Sequence, residues 1–407
     1  MKVIHIYLLI FLLHSFETAS QKTSDDFNEI WNDIVSQDDF EKNYRFSNLV
    51  ESLKNTTSFF NTDSLDDNIP DSWSYVFDED INLIVIAGVL PYEFESDRLI
   101  WLAKKKDSIS NYKVFYSNVT IKDYDANDLD IRLNKYFLKD EEFVSLKILF
   151  NSKQILSLED IYTKIIIQDL VESSDDDYKI ALNSQLINRF DLLLSHEPFF
   201  ENDFSYYDRI STLKSADEIV KIVTWNLEFF DGSNSFSGLL AIKVDNSIKV
   251  YKLVDDYSSI DNPEYASLTV SSWFGAVYYD ILEHRYKKNT YYTLLGYNPN
   301  DVFSKYRIIE VMSLSRNGVP RFNNSIFNQN GRNKKRIVFE YSNRVSMMLR
   351  YDTNQGMIVM DNLVPSDPLF ENDYRHYGPD FTHNAFKFEK GKWIYIENVI
   401  LRNRMYK

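Results

Sequence analysis

The feature that most constrains the fold is a succession of short strand-like segments that begins near Glu218 and continues almost to the C-terminus. Residues of high strand propensity fill these segments, and turn-forming pairs separate them: Asp231-Gly232, Asp245-Asn246, Asn317-Gly318 and Lys390-Gly391. Because such pairs adopt the backbone angles of tight turns, consecutive segments are predicted to pair antiparallel. Residues 215–407 are therefore predicted to form an antiparallel β meander, arranged as a sheet, a sandwich or a barrel.

The clearest local pattern within this meander lies between Arg336 and Asn398. The segments IVFEYSN, VSMMLRYD, MIVMD and FKFEKGKWIYIEN predict two hairpins, and DTNQG at Asp352 predicts a hairpin turn rather than a calcium loop. Residues Asp361 to Asn384 are predicted to form a long irregular loop between them. Irregular segments longer than about 12–15 residues are uncommon in compact domains and often carry function.

The N-terminal half shows a different pattern. Apolar residues recur at helical spacing in residues 27–34 and 40–60, and helical periodicity is assigned again from Asp128 to Leu194. Strand-like hairpins are predicted only near residues 73–117. The predicted fold class is α+β: a mainly helical N-terminal region with a small β unit, followed by the C-terminal β meander. The predicted domains are residues 21–214 and 215–407.

Two β units resemble each other across this boundary. DEDINLIVIAGVL, from Asp78, and DEIVKIVTWNL, from Asp217, are followed by LIWLAKK and LLAIKV respectively. Either the units are a diverged repeat, or the similarity is the generic one between hydrophobic hairpins.

The N-terminus predicts the compartment. Lys2 precedes an apolar run from Val3 to Leu13, and Thr18-Ala19-Ser20 places small residues before a cleavage site at Ser20/Gln21. This is the layout of a secretory signal peptide, which makes residues 1–20 a removable leader. The mature protein is expected to be periplasmic or secreted. The later apolar runs are strand-sized, so no transmembrane segment is predicted in it.

Composition excludes several classes of function. Lys and Arg number 45 against 61 Asp and Glu, a net charge of −16 that disfavours binding to nucleic acid. The basic run from Arg332 to Arg336 is interpreted as a solvated hairpin loop. The chain has no cysteine, which excludes thiol catalysis and Cys-based metal sites. Motifs of P-loops, dinucleotide folds, serine hydrolases and HExxH zinc enzymes are absent.

The remaining candidates for chemistry lie in the 361–384 loop. His376, Asp380 and His383 are candidate catalytic residues, and Asp361 joins them as a candidate metal ligand because imidazole and carboxylate groups bind zinc. Their spacing matches no known metal motif. The alternative is that these polar groups satisfy a loop packed over the sheet. No cofactor is predicted.

Aromatic residues make up 15% of the chain. Five of them alternate along predicted strands, where one face normally belongs to the core: Trp273, Tyr278, Tyr279, Tyr291 and Tyr292. They would stack against sugars or peptides only if the other face were exposed.

Several strands carry a family resemblance. WFGAVYYDI, YYTLLGYN, KRIVFEYS, MLRYD, MIVMDNLVPSDP and YGPDFTHNAFKFEKGKWIYIENV resemble motifs of a family of exported proteins of unknown function from Gram-negative bacteria. The resemblance spans roughly Asp217 to Asn403. It implies export and a β-rich C-terminal domain, and it implies no activity or functional residue.

These observations favour an exported, non-catalytic interaction module associated with the cell envelope, with a protein or a glycan as its partner. One alternative is an extracytoplasmic hydrolase or metal-binding protein that uses the 361–384 loop. Another is carbohydrate or peptide binding through exposed aromatic residues.

Overall fold

A computed structural model describes residues 25–55, 73–78, 83–90, 97–105, 113–119, 129–150, 152–245 and 247–401. The predicted signal peptide and its cleavage site lie outside the described residues. The chain divides into two compact units, residues 1–165 and 166–407. The predicted boundary between residues 214 and 215 stays a prediction.

Two helices and seven strands of the first unit lie wholly within its described residues. These are α1 (Asp25–Val35), α2 (Asp39–Asn55), β1 (Trp73–Asp78), β2 (Leu83–Leu90), β3 (Asp97–Lys105), β4 (Lys113–Val119), β5 (Leu129–Leu138), β6 (Glu141–Phe150) and β7 (Lys153–Leu158). Strands β1 to β4 form one antiparallel sheet in chain order, and β5 to β7 form another. Helix α1 packs Trp31 and Ile34 into the same core as Ile84 and Ile86 of β2. Every residue of β2 is buried, as its unbroken apolar sequence requires.

This arrangement shows that the predicted fold class is wrong. Strands extend across the whole chain, and residues 129–158, to which helical periodicity was assigned, form β5, β6 and β7. The start of β5 alternates with a period of two: Leu129 and Ile131 are buried, whereas Asp130 and Arg132 are exposed. That alternation is the pattern of a half-buried strand, and it outweighs the helical spacing of the surrounding apolar residues.

Helix α3 (Ile161–Glu172) spans the division, and the second unit follows it. Its further elements are α4 (Asp176–Leu194), α5 (Glu197–Glu201), β8 (Ser211–Lys214), β9 (Val220–Glu228), β10 (Asn234–Val244), β11 (Ser247–Val254), β12 (Val277–Tyr286), β13 (Asn289–Asn298), β14 (Ser304–Leu314), β15 (Pro320–Arg321), β16 (Phe327–Gln329), β17 (Arg332–Lys334), β18 (Arg336–Ser342), β19 (Leu349–Asp352), β20 (Met357–Pro365), β21 (Tyr377–Glu389) and β22 (Lys392–Ile396).

These strands form three sheets. Their orders are β11-β10-β9-β8, then β12-β13-β14 with β15 and β18 also paired to β14, then β17-β16-β22-β21-β20-β19. Neighbouring strands pair antiparallel except β16 and β22, which run parallel. Turns connect the strands where the sequence predicts them, including Asp231-Gly232 and Lys390-Gly391.

The sheet of β12, β13, β14 and β18 is covered on both faces. Leu294 of β13 and Ile308 of β14 belong to a core shared with β9 and β10. Their sequence neighbours Leu295 and Ile309 belong to a second core, shared with β20, β21 and β22. Because alternate side chains of a strand point to opposite faces, the three sheets stack as layers and the middle one is buried between the other two.

The two similar sequence units occupy equivalent places. The first forms β2 and β3, and the second forms β9 and β10, in each case the second and third strands of a four-stranded antiparallel meander. None of the helices described here is long and apolar enough to span a membrane.

Candidate functional site

The segment predicted to be a long irregular loop is mostly a hairpin, so that prediction is wrong. Strand β20 continues to Pro365 and β21 begins at Tyr377, which leaves residues 366–376 as the connection. Val364 pairs with Gly378, and Asp361 pairs with His383. Pro365 ends β20, and Pro379 of β21 pairs with Leu363 beside a bulge; both positions tolerate a missing N–H donor.

A bulge interrupts this hairpin between Asp361 and Leu363. Asn362 Nδ2 donates to Asp380 Oδ2 at 2.9 Å, and the Thr382 hydroxyl donates to Asp380 Oδ1 at 2.7 Å. These hydrogen bonds hold the pKa of the Asp380 carboxyl below its usual range, and the bond from Thr382 has the largest effect. A carboxylate kept ionised in this way holds the bulge together and is unsuited to act as a general acid.

Asp361 and His383 form a half-buried pair beside the bulge. His383 Nδ1 lies 3.1 Å from Asp361 Oδ1, and Asp361 Oδ2 accepts a hydrogen bond from the backbone N–H of Met348 at 2.7 Å. Both carboxylate oxygens therefore have protein partners. A carboxylate that orients an imidazole is one part of a nucleophilic site, but such a site also needs a nucleophile within reach of the other ring nitrogen. Among the residues that the structure describes, no hydroxyl group donates a hydrogen bond to His383.

The structure does not bring His376 to that pair. Its ring stacks on Phe370, with centroids 3.9 Å apart, and its Nε2 lies 3.8 Å from Asp373 Oδ2. Asp373 also accepts two hydrogen bonds from Arg375, which lower the pKa of its carboxyl. Within the described ranges, no group of three or more His, Asp or Glu side chains is placed to hold a metal ion.

Four of the five aromatic residues considered as a stacking platform are in the core. Trp273, Tyr278, Tyr291 and Tyr292 are buried, and only Tyr279 is partly exposed, with the Arg307 guanidinium 5.2 Å from its ring centroid. These residues stabilise the stack of sheets and do not present a binding face.

Exposed apolar side chains instead gather on three connections of the second unit. These are residues 229–233 between β9 and β10, residues 299–303 between β13 and β14, and residues 366–376 between β20 and β21; together they are called the three-loop surface here. Phe230 is 85% exposed, Phe303 60% and Leu369 89%. Val302 and Tyr374 are exposed as well.

The first two connections touch, and an electrostatic interaction links the second to the third. Val302 Cγ1 lies 2.5 Å from the point where a Cβ would stand on Gly232, so the first two connections touch. The charge of Asp301 in the second connection acts on Arg375 in the third, whose pKa is raised chiefly by its hydrogen bond with Asp373. Two of the apolar residues are also fixed locally, because Asp301 accepts from Phe303 N and Asp367 accepts from Leu369 N. Such Asx turns order a loop without help from the core.

The three-loop surface is acidic around its apolar residues. Its three segments contain one Lys or Arg, which is Arg375. They contain five carboxylates: Asp231, Asp301, Asp367, Glu371 and Asp373. Asp231 accepts hydrogen bonds from Ser233, which lower the pKa of its carboxyl. An apolar patch rimmed by charge of one sign is typical of a recognition surface.

The three-loop surface was not predicted from the sequence, although its residues carry a recognisable signal. Phe230 stands beside Asp231-Gly232, Phe303 follows Pro299-Asn300-Asp301, and Leu369 follows Asp367-Pro368. A large apolar residue inside a strong turn signal cannot readily be buried, because turn backbone lies at the surface.

No protein-family model matches this chain. No curated protein sequence matches it. Among solved structures, the chain is similar to the crystal structure of an endo-arabinase from Bacteroides thetaiotaomicron VPI-5482. The sequence identity is 10%, the TM-score is 0.21, and the match covers 79% of this chain and 95% of that one. A similarity at this level supports no conclusion about the fold or the function.

Proposed function

We propose that this chain is an exported, non-catalytic binding protein of the cell envelope that recognises a protein partner through the three-loop surface. The observation that carries the proposal is the group of exposed apolar side chains on three adjoining connections, led by Phe230, Phe303 and Leu369. Scattered exposed apolar residues need no explanation, but a contiguous group rimmed by charge is typical of interaction sites.

The negative charge of the three-loop surface favours a positively charged partner. Five carboxylates against one arginine attract a partner that carries Lys or Arg beside apolar side chains. The same charge repels anionic lipid and nucleic acid. The expected complex is therefore weakened by salt, because charge attraction at an exposed rim is screened.

Export is supported by the predicted signal peptide and by the resemblance of residues 217–403 to exported proteins of Gram-negative bacteria. Cleavage at Ser20/Gln21 predicts a mature protein that begins with Gln21. Mass spectrometry of the protein recovered from the native cell measures this directly. An intact Met1 on protein recovered from the cytoplasm contradicts export and leaves the binding proposal to its own test.

Site-specific photocrosslinking tests the binding proposal. A photoreactive phenylalanine analogue is placed at Phe303, and the crosslinked partner is identified by mass spectrometry. The matched control carries the analogue at Tyr265, an exposed aromatic residue. The two positions lie at opposite ends of β18. Tyr265 contacts Lys335, which precedes β18, and Phe303 contacts Asn343, which follows it.

The expected result is one dominant protein crosslinked from Phe303, with little crosslinking from Tyr265. Substitution of Phe230 and Leu369 by serine should then abolish the product while the melting temperature stays unchanged, since exposed side chains contribute little to stability. Equal crosslinking from both positions, or a product that survives the two substitutions, contradicts the proposal.

A further inference from the structure

A recess in the second unit lies between the end of α3, helix α4 and the end of β9. Its volume is about 200 Å³. The walls are polar and apolar in about equal parts, and the apolar part includes Leu170 of α3, Leu186 of α4, and Trp225 and Phe229 of β9 and its loop. A volume of this size lies between the roughly 150 Å³ cavity that holds benzene and the larger sites of drug-sized ligands. It can therefore hold a small organic molecule.

Two charged side chains line the recess without a partner. Neither the Arg209 guanidinium nor the Glu228 carboxylate makes a hydrogen bond or an ion pair with any residue that the structure describes. They are of opposite charge and both line one recess, yet no ion pair within 4 Å joins them. Such a pair leaves one cationic and one anionic position open to a ligand.

The other polar groups of the wall are occupied. Lys179 Nζ donates to the backbone carbonyl of Glu228 at 2.7 Å. Trp225 Nε1 donates to Asn183 Oδ1 at 2.7 Å, and Asn226 donates to Asn234 Oδ1. Arg209 and Glu228 are thus the groups that remain to recognise charge.

The backbone at Arg209 is also unusual. Its φ of 61° lies in the left-handed region, which is unfavourable for a long side chain and is retained only where the surroundings enforce it. Arg209 lines the recess two residues before β8, which begins at Ser211.

We infer that this recess binds a small zwitterion with an apolar body, of the class of leucine. The ligand carboxylate pairs with the Arg209 guanidinium, whose planar fork matches a carboxylate. The ligand ammonium pairs with Glu228, and the branched aliphatic side chain contacts the wall formed by Leu170, Leu186 and Trp225. The recess shares Phe229 with the first connection of the three-loop surface, but its ligand groups lie outside that surface, and the inference does not depend on the proposed function.

Ligand-observed NMR on the full chain tests the inference with three probes. L-leucine carries both charges, leucinamide lacks the carboxylate, and 4-methylpentanoate lacks the amino group. Leucine is expected to bind, and the two analogues to bind at least about tenfold more weakly, because each loses one charge-assisted contact. The indole signal of Trp225, assigned through a Trp225→Phe variant, should shift on addition of leucine.

Substitutions test whether Arg209 and Glu228 bind the ligand directly, and a substitution elsewhere in the chain serves as the control. Arg209→Gln and Glu228→Gln should each weaken leucine binding by about tenfold or more. Arg316→Gln removes an exposed arginine elsewhere and should leave binding unchanged. Leu186→Phe narrows the recess and should weaken all three probes together. The inference is overturned if leucine does not bind, if all three probes bind equally, or if Arg316→Gln has the same effect as Arg209→Gln.

Discussion

Arg336 and Glu310 form an ion pair inside the second unit. Arg336 Nε lies 2.7 Å from Glu310 Oε1, and neither side chain has exposed surface. The two residues are direct partners in the pairing of β18 with β14. The Tyr278 hydroxyl donates to the other oxygen of Glu310, and the guanidinium donates to the backbone carbonyls of Ala266 and Phe322. Buried charges are tolerated when paired and hydrogen-bonded in this way.

Removing the charge of one partner should therefore be costly. Glu310→Gln leaves the guanidinium buried without its counter-ion, so the free energy of unfolding is expected to fall by roughly 3–5 kcal/mol. Urea denaturation followed by far-UV circular dichroism measures this change. The matched control is Glu389→Gln at an exposed pair with Lys387, where the change should stay below about 1 kcal/mol. A similar small loss in Glu310→Gln would show that the pair contributes little.

The Arg336–Glu310 pair shows that residue type alone does not determine whether a charged side chain is exposed or buried. The basic run from Arg332 to Arg336 predicts a solvated loop, and Arg332 and Asn333 are indeed exposed. Arg336, the last residue of the run, is fully buried. Its burial depends on Glu310 and on the carbonyls around it, which come from segments far away in the sequence. Only the fold shows that a charged residue has partners at such distance.

The strands of residues 129–158 were missed for a local reason. The β5–β6 hairpin turns at Lys139-Asp140, with Lys139 at a φ of 56°. Neither residue is the glycine or asparagine that normally marks such a turn. Dense apolar sequence in β6 also fits a helix as well as a strand, because periodicity cannot separate the two over short runs. By contrast, Lys390-Gly391 carries a clear turn signal and forms the predicted turn.

The contacts of the candidate site residues could not be predicted from the sequence. The sequence singled out residues 361–384, but it could not show that Asp361 contacts His383 while His376 stacks on Phe370. Strand pairing sets those contacts, and a bulge at Asn362 shifts the register. Because one bulge changes which side chains face each other, sequence spacing alone cannot group the imidazoles.

Asp361 is predicted to act as a structural anchor of the bulge. Asp361→Asn removes the negative charge that accepts from Met348 N and faces His383, so stability should fall by about 1–3 kcal/mol. The zinc content of the purified protein should not change in the variant or in a His376→Ala, His383→Ala double variant. Differential scanning calorimetry and elemental analysis measure the two quantities. Stoichiometric zinc that is lost in the double variant would favour the metal-dependent alternative instead.

His284 is predicted to make the second unit sensitive to acid. Its ring packs between Phe388 and Trp393, with centroids 4.6 and 4.7 Å away. Its Nδ1 is buried without a hydrogen-bond partner among the described residues. Burial lowers the pKa of the imidazole, and a backbone hydrogen bond with Leu282 opposes this only in part. The unfolded chain therefore takes up the proton first as the pH falls.

The sign of the effect follows from that order. Above the unfolded pKa of about 6.5, protonation of His284 does not reduce the free energy of unfolding. As the pH falls below that value, the free energy of unfolding decreases by at most about 1.4 kcal/mol for each pH unit. His284→Phe cannot be protonated, so its free energy of unfolding should fall less between pH 7.5 and pH 5.5. Urea denaturation at several pH values gives both curves. Parallel curves would assign the acid sensitivity to other groups.

Gly391 and Gly331 provide a matched pair for the cost of a side chain in a hairpin turn. Both have left-handed φ values, 83° and 78°. A Cβ on Gly331 would meet nothing within 4 Å, whereas a Cβ on Gly391 would clash with the ring of Tyr286. Gly331→Ala should therefore cost only the backbone strain of about 1–2 kcal/mol. Gly391→Ala should cost about 1–3 kcal/mol more, since Tyr286 must also move. Chemical denaturation measures both losses, and equal losses would mean that the packing of Tyr286 on the turn does not restrict residue 391.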